Sequence, residues 1–114
     1  MRILGTSLLI ANALSVTAQA KAAPVRTQAE ACAAVKASVA VNRHVPVSII
    51  AFCDVIPLSE VPRGYYVLAL HSDRKCEGIC STNMGWFAVN QRTSRVFQFD
   101  VDSRKVGLPI EDHR

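Results

Sequence analysis

Four cysteines constrain this chain more than any other feature of its sequence; they stand at positions 32, 53, 76 and 80. An even number of cysteines behind an export signal indicates an oxidising destination and two disulfides. Four cysteines allow three pairings. We expect Cys32–Cys53, which would staple a helix to a strand with a gain of roughly 3 kcal/mol, and Cys76–Cys80, which would close a short loop.

Residues 1–20 have the form of a secretory signal peptide. Arg2 supplies the positive start, an uncharged and mostly apolar stretch follows, and Ala18-Gln19-Ala20 fits a small-x-small cleavage site. The apolar stretch is short and interrupted by polar residues, so we expect cleavage and no stable membrane span. An uncleaved anchor is the alternative, and cleavage at Ala22 or Ala23 is a variant. The prediction is a periplasmic or secreted protein whose residues 21–114 form one domain.

The charge of the chain is mild. Loss of Arg2 with the leader lowers the net charge from +4 to about +3. The basic side chains are dispersed, and Arg74-Lys75 is their longest run. A nucleic-acid-binding domain needs a basic stripe, so we expect no nucleic-acid partner.

A helix is predicted over residues 28–41, which are rich in alanine. Thr27 and Glu30 fit a capping box, in which each side chain bonds to the other residue's amide. Cys32, Val35 and Val39 form a narrow stripe at helical spacing. Because the stripe is made of small residues, we expect this helix to lie close against a sheet.

Four strands are predicted to follow, over residues 47–56, 65–71, 85–90 and 95–101. Turns are predicted at residues 57–64, 91–94 and 102–107. The last segment, residues 108–114, is predicted to be a short edge strand or a tail. The order predicts an α+β fold in which one N-terminal helix packs on a four-stranded antiparallel sheet, with an outline that resembles the cystatin-like arrangement.

Alternation along the strands assigns residues to faces of the sheet. Tyr66, Leu68 and Leu70 point one way. With the usual register we expect one core face that carries Phe87, Val89, Phe97, Phe99 and Val101, and an opposite face that carries Trp86, Ala88, Gln98 and Asp100. In the first strand, Ile49, Ala51, Cys53 and Val55 share a face, and Ile50, Phe52 and Asp54 share the other.

The segment between the second and third strands is the candidate functional element. A disulfide between Cys76 and Cys80 would fix its shape, and Gly78 permits the tight backbone. A zinc site that adds His71 is the alternative, but it lacks a fourth ligand nearby. The predicted binding residues of this loop are His71, Arg74, Lys75, Glu77, Gly78, Ile79 and Asn83.

Signals for an enzyme are poor. No nucleophile elbow, P-loop, dinucleotide-binding glycines or zinc-protease motif occurs in the sequence. Asp100 and Asp102 form a spaced acidic pair, which reads more simply as solvated turn residues. His44 and His113 fall in expected loops. We therefore expect no catalytic residues, no metal and no cofactor.

A further pattern runs from Tyr66-Val67-Leu68 through Cys76, Cys80 and Asn83 to Trp86-Phe87-Ala88-Val89 and Val96-Phe97. This pattern resembles the Ivy-type periplasmic lysozyme inhibitors. It implies a strand that leads into a cysteine-bracketed loop, which in that family plugs the lysozyme cleft, and then a hairpin. The family's loop has four residues between its cysteines, including a histidine that meets the catalytic acids. The loop here has three, Glu77-Gly78-Ile79, and no histidine.

The leading hypothesis is an exported binding protein, an inhibitor or immunity-type protein that presents residues 72–83 to a protein in the envelope or outside the cell. A rigid loop inserts well because its ordering costs little entropy on binding. The first alternative is a small exported ligand-binding protein or enzyme with a pocket on the sheet face, where Tyr65, His71, Trp86 and Asp100 would line the outer side. The second is an envelope protein of structural role.

Overall fold

The computed structural model describes residues 23–73 and 82–110. These residues form a helix, α1, over Gln28–Arg43 and five strands. The strands are β1 Ile50–Val55, β2 Tyr65–Ser72, β3 Asn83–Asn90, β4 Val96–Asp100 and β5 Lys105–Pro109. Two short 3₁₀ turns, Val47–Ile49 and Leu58–Glu60, flank β1. The predicted leader and the predicted Cys76–Cys80 bridge lie outside the described residues.

The strands form one antiparallel sheet in sequential order, β1-β2-β3-β4-β5, and α1 packs on it. The α+β class is therefore confirmed, but the predicted number of four strands is wrong. The fifth strand begins at Lys105, inside the segment predicted as a turn. The reversal is tighter than expected because the Asp100 carboxylate accepts from the amides of Asp102 and Ser103 and Arg104 takes a φ of 59°.

The start of α1 follows from its cap. The Glu30 amide donates to the Thr27 hydroxyl over 3.1 Å, as predicted. The return bond differs, because the Glu30 carboxylate accepts from the amide of Arg26 (2.7 Å). The helix runs two residues beyond the predicted end and stops where His44 adopts the left-handed conformation at φ 56°.

The main core lies between α1 and one face of the sheet. Its fully or nearly buried members are Val25, Ala31, Val35, Val39, Ile50, Tyr66, Leu68, Leu70, Phe87, Val89 and Val96. The Cys32–Cys53 disulfide crosses this interface, with a Cα–Cα distance of 5.9 Å. This pairing is the predicted one, and it ties the helix to strand β1.

The register between β3 and β4 corrects the predicted core face. Phe87 lies opposite Gln98 and Ala88 lies opposite Phe97. Phe97 and Phe99 are thus on the face away from α1, whereas the prediction placed them with Phe87. The turn at residues 91–95 sets this register: the Asn90 side chain accepts from the amides of Arg92 and Thr93.

The face away from α1, called the outer face below, has its own apolar cluster. Val67, Ala88 and Phe99 are buried there. The side chains packed over them are Ile56, Val61, Tyr65, Trp86, Phe97 and Val106. Large side chains of the sheet and its turns therefore cover the small buried ones, and the sheet separates two apolar layers.

Strand β1 begins at Ile50, three residues later than predicted, because Val47–Ile49 forms a 3₁₀ turn. Its pairing with β2 shifts between Ile50 and Phe52, which makes Ala51 an extra residue. This bulge places Ile50 in the helix-side core with Cys53 and Val55. The predicted assignment of Ile50 to the face of Phe52 and Asp54 is wrong for that reason.

Candidate functional site

The 72–83 loop, which comprises residues 72–83, leaves the sheet between β2 and β3. The amide of Ser72 donates to the carbonyl of Thr82 over 2.9 Å, which closes the base of the loop. Asn83 lies opposite His71 in the sheet. The two predicted site residues at the loop ends are thus brought together. The other five, Arg74, Lys75, Glu77, Gly78 and Ile79, lie outside the described residues, as does the expected cysteine bridge.

The β2 end of the loop is also hydrogen-bonded to the turn that precedes β1. The amide of Asp73 donates to the carbonyl of Ile49 over 2.9 Å. Ile49 ends the 3₁₀ turn that precedes β1, so the loop is attached across β1 as well as across β3. A backbone attached on two sides has fewer conformations to lose when a partner binds the loop.

The β3 end of the loop is shaped by a bulge. Leu70 lies opposite Gly85 and His71 lies opposite Asn83, which leaves Met84 as the extra residue. The amide of Gly85 donates to the Asn83 side chain over 2.6 Å. At a φ of 126°, Gly85 has a backbone conformation that other residues rarely adopt, and an added Cβ would lie 3.1 Å from the Phe87 ring.

Arg43, at the end of α1, connects the helix to this bulge. Its guanidinium donates to the carbonyl of Met84 over 2.7 Å. The same group lies 5.9 Å from the centre of the Phe87 ring, within the range of a cation–π contact. The helix, β2, β3 and the turn before β1 therefore all meet at the base of the loop.

His71 occupies the outer face at the same end of the sheet. Its Nδ1 lies 3.2 Å from the Thr82 hydroxyl, and its ring stacks on Phe52 with a centroid separation of 4.6 Å and an angle of 10°. Its Nε2 is shielded from solvent and has no hydrogen-bond partner among the described residues. The nearest carboxylate, that of Asp54, lies 4.0 Å away.

Three neighbouring side chains, Asp54, His71 and Thr82, are of the types that form a catalytic triad. In a triad an acid orients a histidine, and the histidine activates a hydroxyl nucleophile. The 4.0 Å separation is too long for the hydrogen bond that would orient the ring. In addition, two-thirds of the Asp54 side chain is exposed to water. The geometry therefore supports a role for His71 in bracing the loop end against Phe52 and Thr82.

Two cavities adjoin this region on the side of α1. The larger, of about 420 Å³, opens at the loop base and is lined by Arg43, Val45, Ile49, Ser72, Asp73, Thr82, Asn83 and Met84. The smaller, of about 270 Å³, lies between the end of α1 and the β3–β4 pair. The lining of the larger cavity includes the apolar residues Val45, Ile49 and Met84 beside polar ones, a mixture that is typical of a pocket for a side chain or a small molecule.

The residues proposed for a pocket on the outer face are only partly brought together. Tyr65 and Trp86 belong to the outer apolar cluster, and the Tyr65 ring meets Phe97 edge to face at 6.1 Å. His71 lies at the loop end of the same face. Asp100 is not with them, because its carboxylate accepts from the turn amides of Asp102 and Ser103.

Those hydrogen bonds lower the pKa of Asp100. The Ser103 amide has the largest effect, desolvation opposes it, and the Asp102 amide and the Ser103 hydroxyl lower the pKa further. Asp100 thus acts as a turn-forming residue, in agreement with the simpler interpretation of the acidic pair.

Sequence reasoning missed three residues of this site: Arg43, Phe52 and Thr82. Each joins the site through a contact with a residue far away in the sequence. Phe52 carried a weak signal, since it is the aromatic residue on a strand face that also carries Asp54. Arg43 carried none, and Thr82 lies within the predicted 72–83 loop but was not among the predicted binding residues.

Within residues 23–73 and 82–110, no three His, Cys, Asp or Glu side chains are grouped so that they could hold a metal ion. Over the same part of the chain, none of the helices has the length and apolar content that a membrane crossing requires.

No protein-family model, no curated protein and no solved structure matches this chain.

Proposed function

We propose that this chain is an exported binding protein that presents the 72–83 loop to a partner protein, as an inhibitor or an immunity-type protein does. The observation that carries the proposal is the closure of the loop base by the bond between the Ser72 amide and the Thr82 carbonyl. The Asp73–Ile49 and Arg43–Met84 bonds add two further attachments. A loop that starts from fixed ends loses little entropy on binding.

Two sequence features support the same proposal. The expected Cys76–Cys80 bridge would limit the conformations of the loop itself. The resemblance of residues 65–100 to the Ivy-type inhibitors supports a loop-presenting inhibitor as the class. Since this loop has Glu77 and no histidine between its cysteines, it is poorly suited to contact with a pair of carboxylates.

The test is a binding experiment with the mature chain as bait in an envelope extract, followed by affinity measurement with the captured protein. We expect Cys76→Ser combined with Cys80→Ser to weaken binding at least tenfold, because the loop must then be ordered on binding. Lys75→Glu is the second loop variant. Its matched control is Arg92→Glu, the same charge reversal in the turn at the opposite end of β3. Unchanged affinity in both loop variants would remove the loop from the function.

A lysozyme inhibition assay with the same four proteins tests the target that the resemblance names. Inhibition that is lost in the loop variants and kept in Arg92→Glu would identify lysozyme as the partner. Absence of inhibition by the wild-type chain would exclude lysozyme as the partner. The loop proposal would then be tested by the affinity measurements with the captured protein.

A second candidate function, a small exported ligand-binding protein or enzyme, is favoured by the cavity of about 420 Å³ at the loop base. A ligand held there would raise the thermal unfolding midpoint in a metabolite screen by mass action. Met84→Trp, which would fill part of the cavity, should abolish such a shift, whereas an unchanged shift would place the ligand elsewhere. A structural role in the envelope is the remaining alternative, and it predicts neither a captured partner nor a ligand-dependent shift.

A further inference from the structure

The pairing between β3 and β4 covers only part of the two strands. Its last pair toward the loop end of the sheet is Phe87 with Gln98. Beyond that pair, β3 stays bonded to β2 as far as Asn83, and β4 stays bonded to β5 as far as Asp100. The two strands therefore separate at this point and leave a space between them.

The cavity of about 270 Å³ lies where these strands separate, beside the end of α1. It is called the fork cavity below. Gly85 borders it, and the Arg43 guanidinium lies so close to this glycine that an added Cβ would be 3.6 Å from its Nη2. A side chain at position 85 would therefore reduce the space beside the guanidinium.

The polar groups of the fork cavity are suited to an anion. Among the described residues that line it, Arg43 is the one that carries a charge, and Asn42 and Gln98 add side-chain amides. The Arg43 guanidinium has more N–H donors than its bond to the Met84 carbonyl uses. The remaining donors can bind a carboxylate without loss of that bond.

A main-chain amide is directed toward the same space. The Asn90 amide donates to the Arg95 carbonyl, and bonded positions recur at every second residue of an antiparallel pair. The pairing with β2 gives the same alternation, because the Gln91 amide donates to the Gly64 carbonyl. The Trp86 amide therefore points toward β4, at a position where the pairing of the two strands has already ended.

The apolar part of the lining gives the ligand its second property. Val39, Phe87 and Ile110 line the fork cavity. The Phe87 ring also lies under the Arg43 guanidinium at 5.9 Å, so the apolar and the cationic parts adjoin. The volume of the cavity is close to the lower end of the range for small-molecule sites, which favours a small ligand.

We propose that the fork cavity binds a small monocarboxylic acid with an apolar body. The carboxylate accepts from the remaining donors of Arg43 and from the Trp86 amide, and the apolar body packs against Val39, Phe87 and Ile110. The larger cavity at the loop base is less suited to an anion, because Asp73 lines it together with Arg43. The proposal does not depend on the 72–83 loop having a partner protein.

The test is a titration of the mature chain with hexanoate, followed by NMR of the backbone amides and by the thermal unfolding midpoint. We expect a saturable shift of the Trp86 amide signal and a higher midpoint. Hexylammonium, which has the same apolar chain and a positive charge, should cause neither. A wild-type chain that does not respond to hexanoate would overturn the proposal, as would shifts at Ser72 and Asp73 in place of Trp86.

Gln98→Glu tests the role of charge. It places a carboxylate at an exposed position of the lining and leaves the Arg43–Met84 bond intact. We expect it to raise the dissociation constant for hexanoate by about tenfold or more. Gln28→Glu, the same change at the exposed other end of α1, is the matched control and should bind as the wild type does. Equal affinity in the two variants would contradict the assigned site.

The chain's own acidic end is the competing occupant, since Glu111 and Asp112 follow Ile110 in the sequence. A variant that ends at Ile110 separates the two cases. We expect it to bind hexanoate as the full mature chain does. A response to hexanoate that appears only after this truncation would assign the cavity to the chain's own end and overturn the proposal.

Discussion

At the scale of single residues, polar side chains in this protein act mainly on the nearby backbone. Thr27, Asn83, Asn90 and Asp100 each accept a hydrogen bond from an amide two or three residues further along the chain. These bonds begin α1, shape the bulge at Met84 and form the turns on either side of β4. Side chains of this kind compete with regular hydrogen bonding and so determine where helices and strands stop.

The contribution of the Asp100 turn to the stability of the fold depends on pH. The pKa of Asp100 is lowered in the folded protein, so its stabilising effect is present above the unfolded-state pKa of about 4 and is lost as the pH falls through the lower, folded-state value. We expect Asp100→Asn to be less stable than the wild type at neutral pH, and we expect the difference in stability to shrink as the pH falls below the unfolded-state pKa of about 4. Thermal unfolding midpoints of both proteins across this range provide the measurement.

The matched control for this prediction is Asp102→Asn. It removes the neighbouring carboxylate and leaves both backbone bonds to Asp100 in place. A difference between the wild type and Asp100→Asn that stays constant down to the acid end of the range would contradict the assigned role.

At the scale of elements, a disulfide and a charged side chain connect the helix to the sheet at opposite ends of α1. Cys32, in the first turns of α1, is bonded to Cys53 of β1. Arg43, in the last turn, donates to the carbonyl of Met84 in β3. The buried residues Ala31, Val35 and Val39 along the helix are small enough to allow a close approach to the sheet. Since the loop base rests on the same β3 bulge, the position of α1 and that of the loop are connected.

Removal of the Cys32–Cys53 bridge by Cys32→Ala with Cys53→Ala should lower the free energy of unfolding by about 3 kcal/mol. Cross-linking across a separation of 21 residues restricts the unfolded chain far more than the short ring expected for Cys76 and Cys80 would. Urea denaturation measures the change as a shift in midpoint. Cys76→Ser with Cys80→Ser is the comparison, and an equal loss of stability in the two double variants would refute the prediction.

At the scale of the whole molecule, the sheet has apolar side chains on both faces, and only one face is covered by α1. The outer face is covered by its own aromatic side chains, Tyr65, Trp86 and Phe97, which lie over the small residues of β2 and β3. One end of the sheet carries the loop base and the larger cavity, and the β1 edge carries the exposed Phe52.

We expect the protein to be exported and processed. Expression of the full chain in a bacterial host should yield periplasmic or secreted material whose N-terminus is Lys21, because residues 1–20 have the features of a cleaved signal. Intact-mass and non-reducing peptide mapping should find two disulfides and no free thiol. Material that keeps its leader in the cytosol, or that has free thiols at Cys76 and Cys80, would contradict the prediction. Deleting residues 1–20 is the control and should abolish export.

Much of the architecture followed from local sequence. The helix start at Thr27, the positions of β2, β3 and β4 to within two residues, and the alternation of β2 all depend on residues close together in the chain. The Cys32–Cys53 pairing also followed, because Cys32 lies on the helix face predicted to touch the sheet and Cys53 lies inside the first predicted strand. At the site, His71 and Asn83 were placed at the loop ends by the same local reasoning.

The tertiary structure decided what depends on strand pairing. Alternation divides each strand into two faces, but it does not say which residue of the next strand lies opposite, and a shift of one residue exchanges the faces. The conformation of residues 91–95 therefore placed Phe97 and Phe99 on the outer face, and the bulge at Ala51 moved Ile50 into the core. For the same reason, the contacts of Phe52, Thr82 and Arg43 at the loop base emerged only once distant segments were paired.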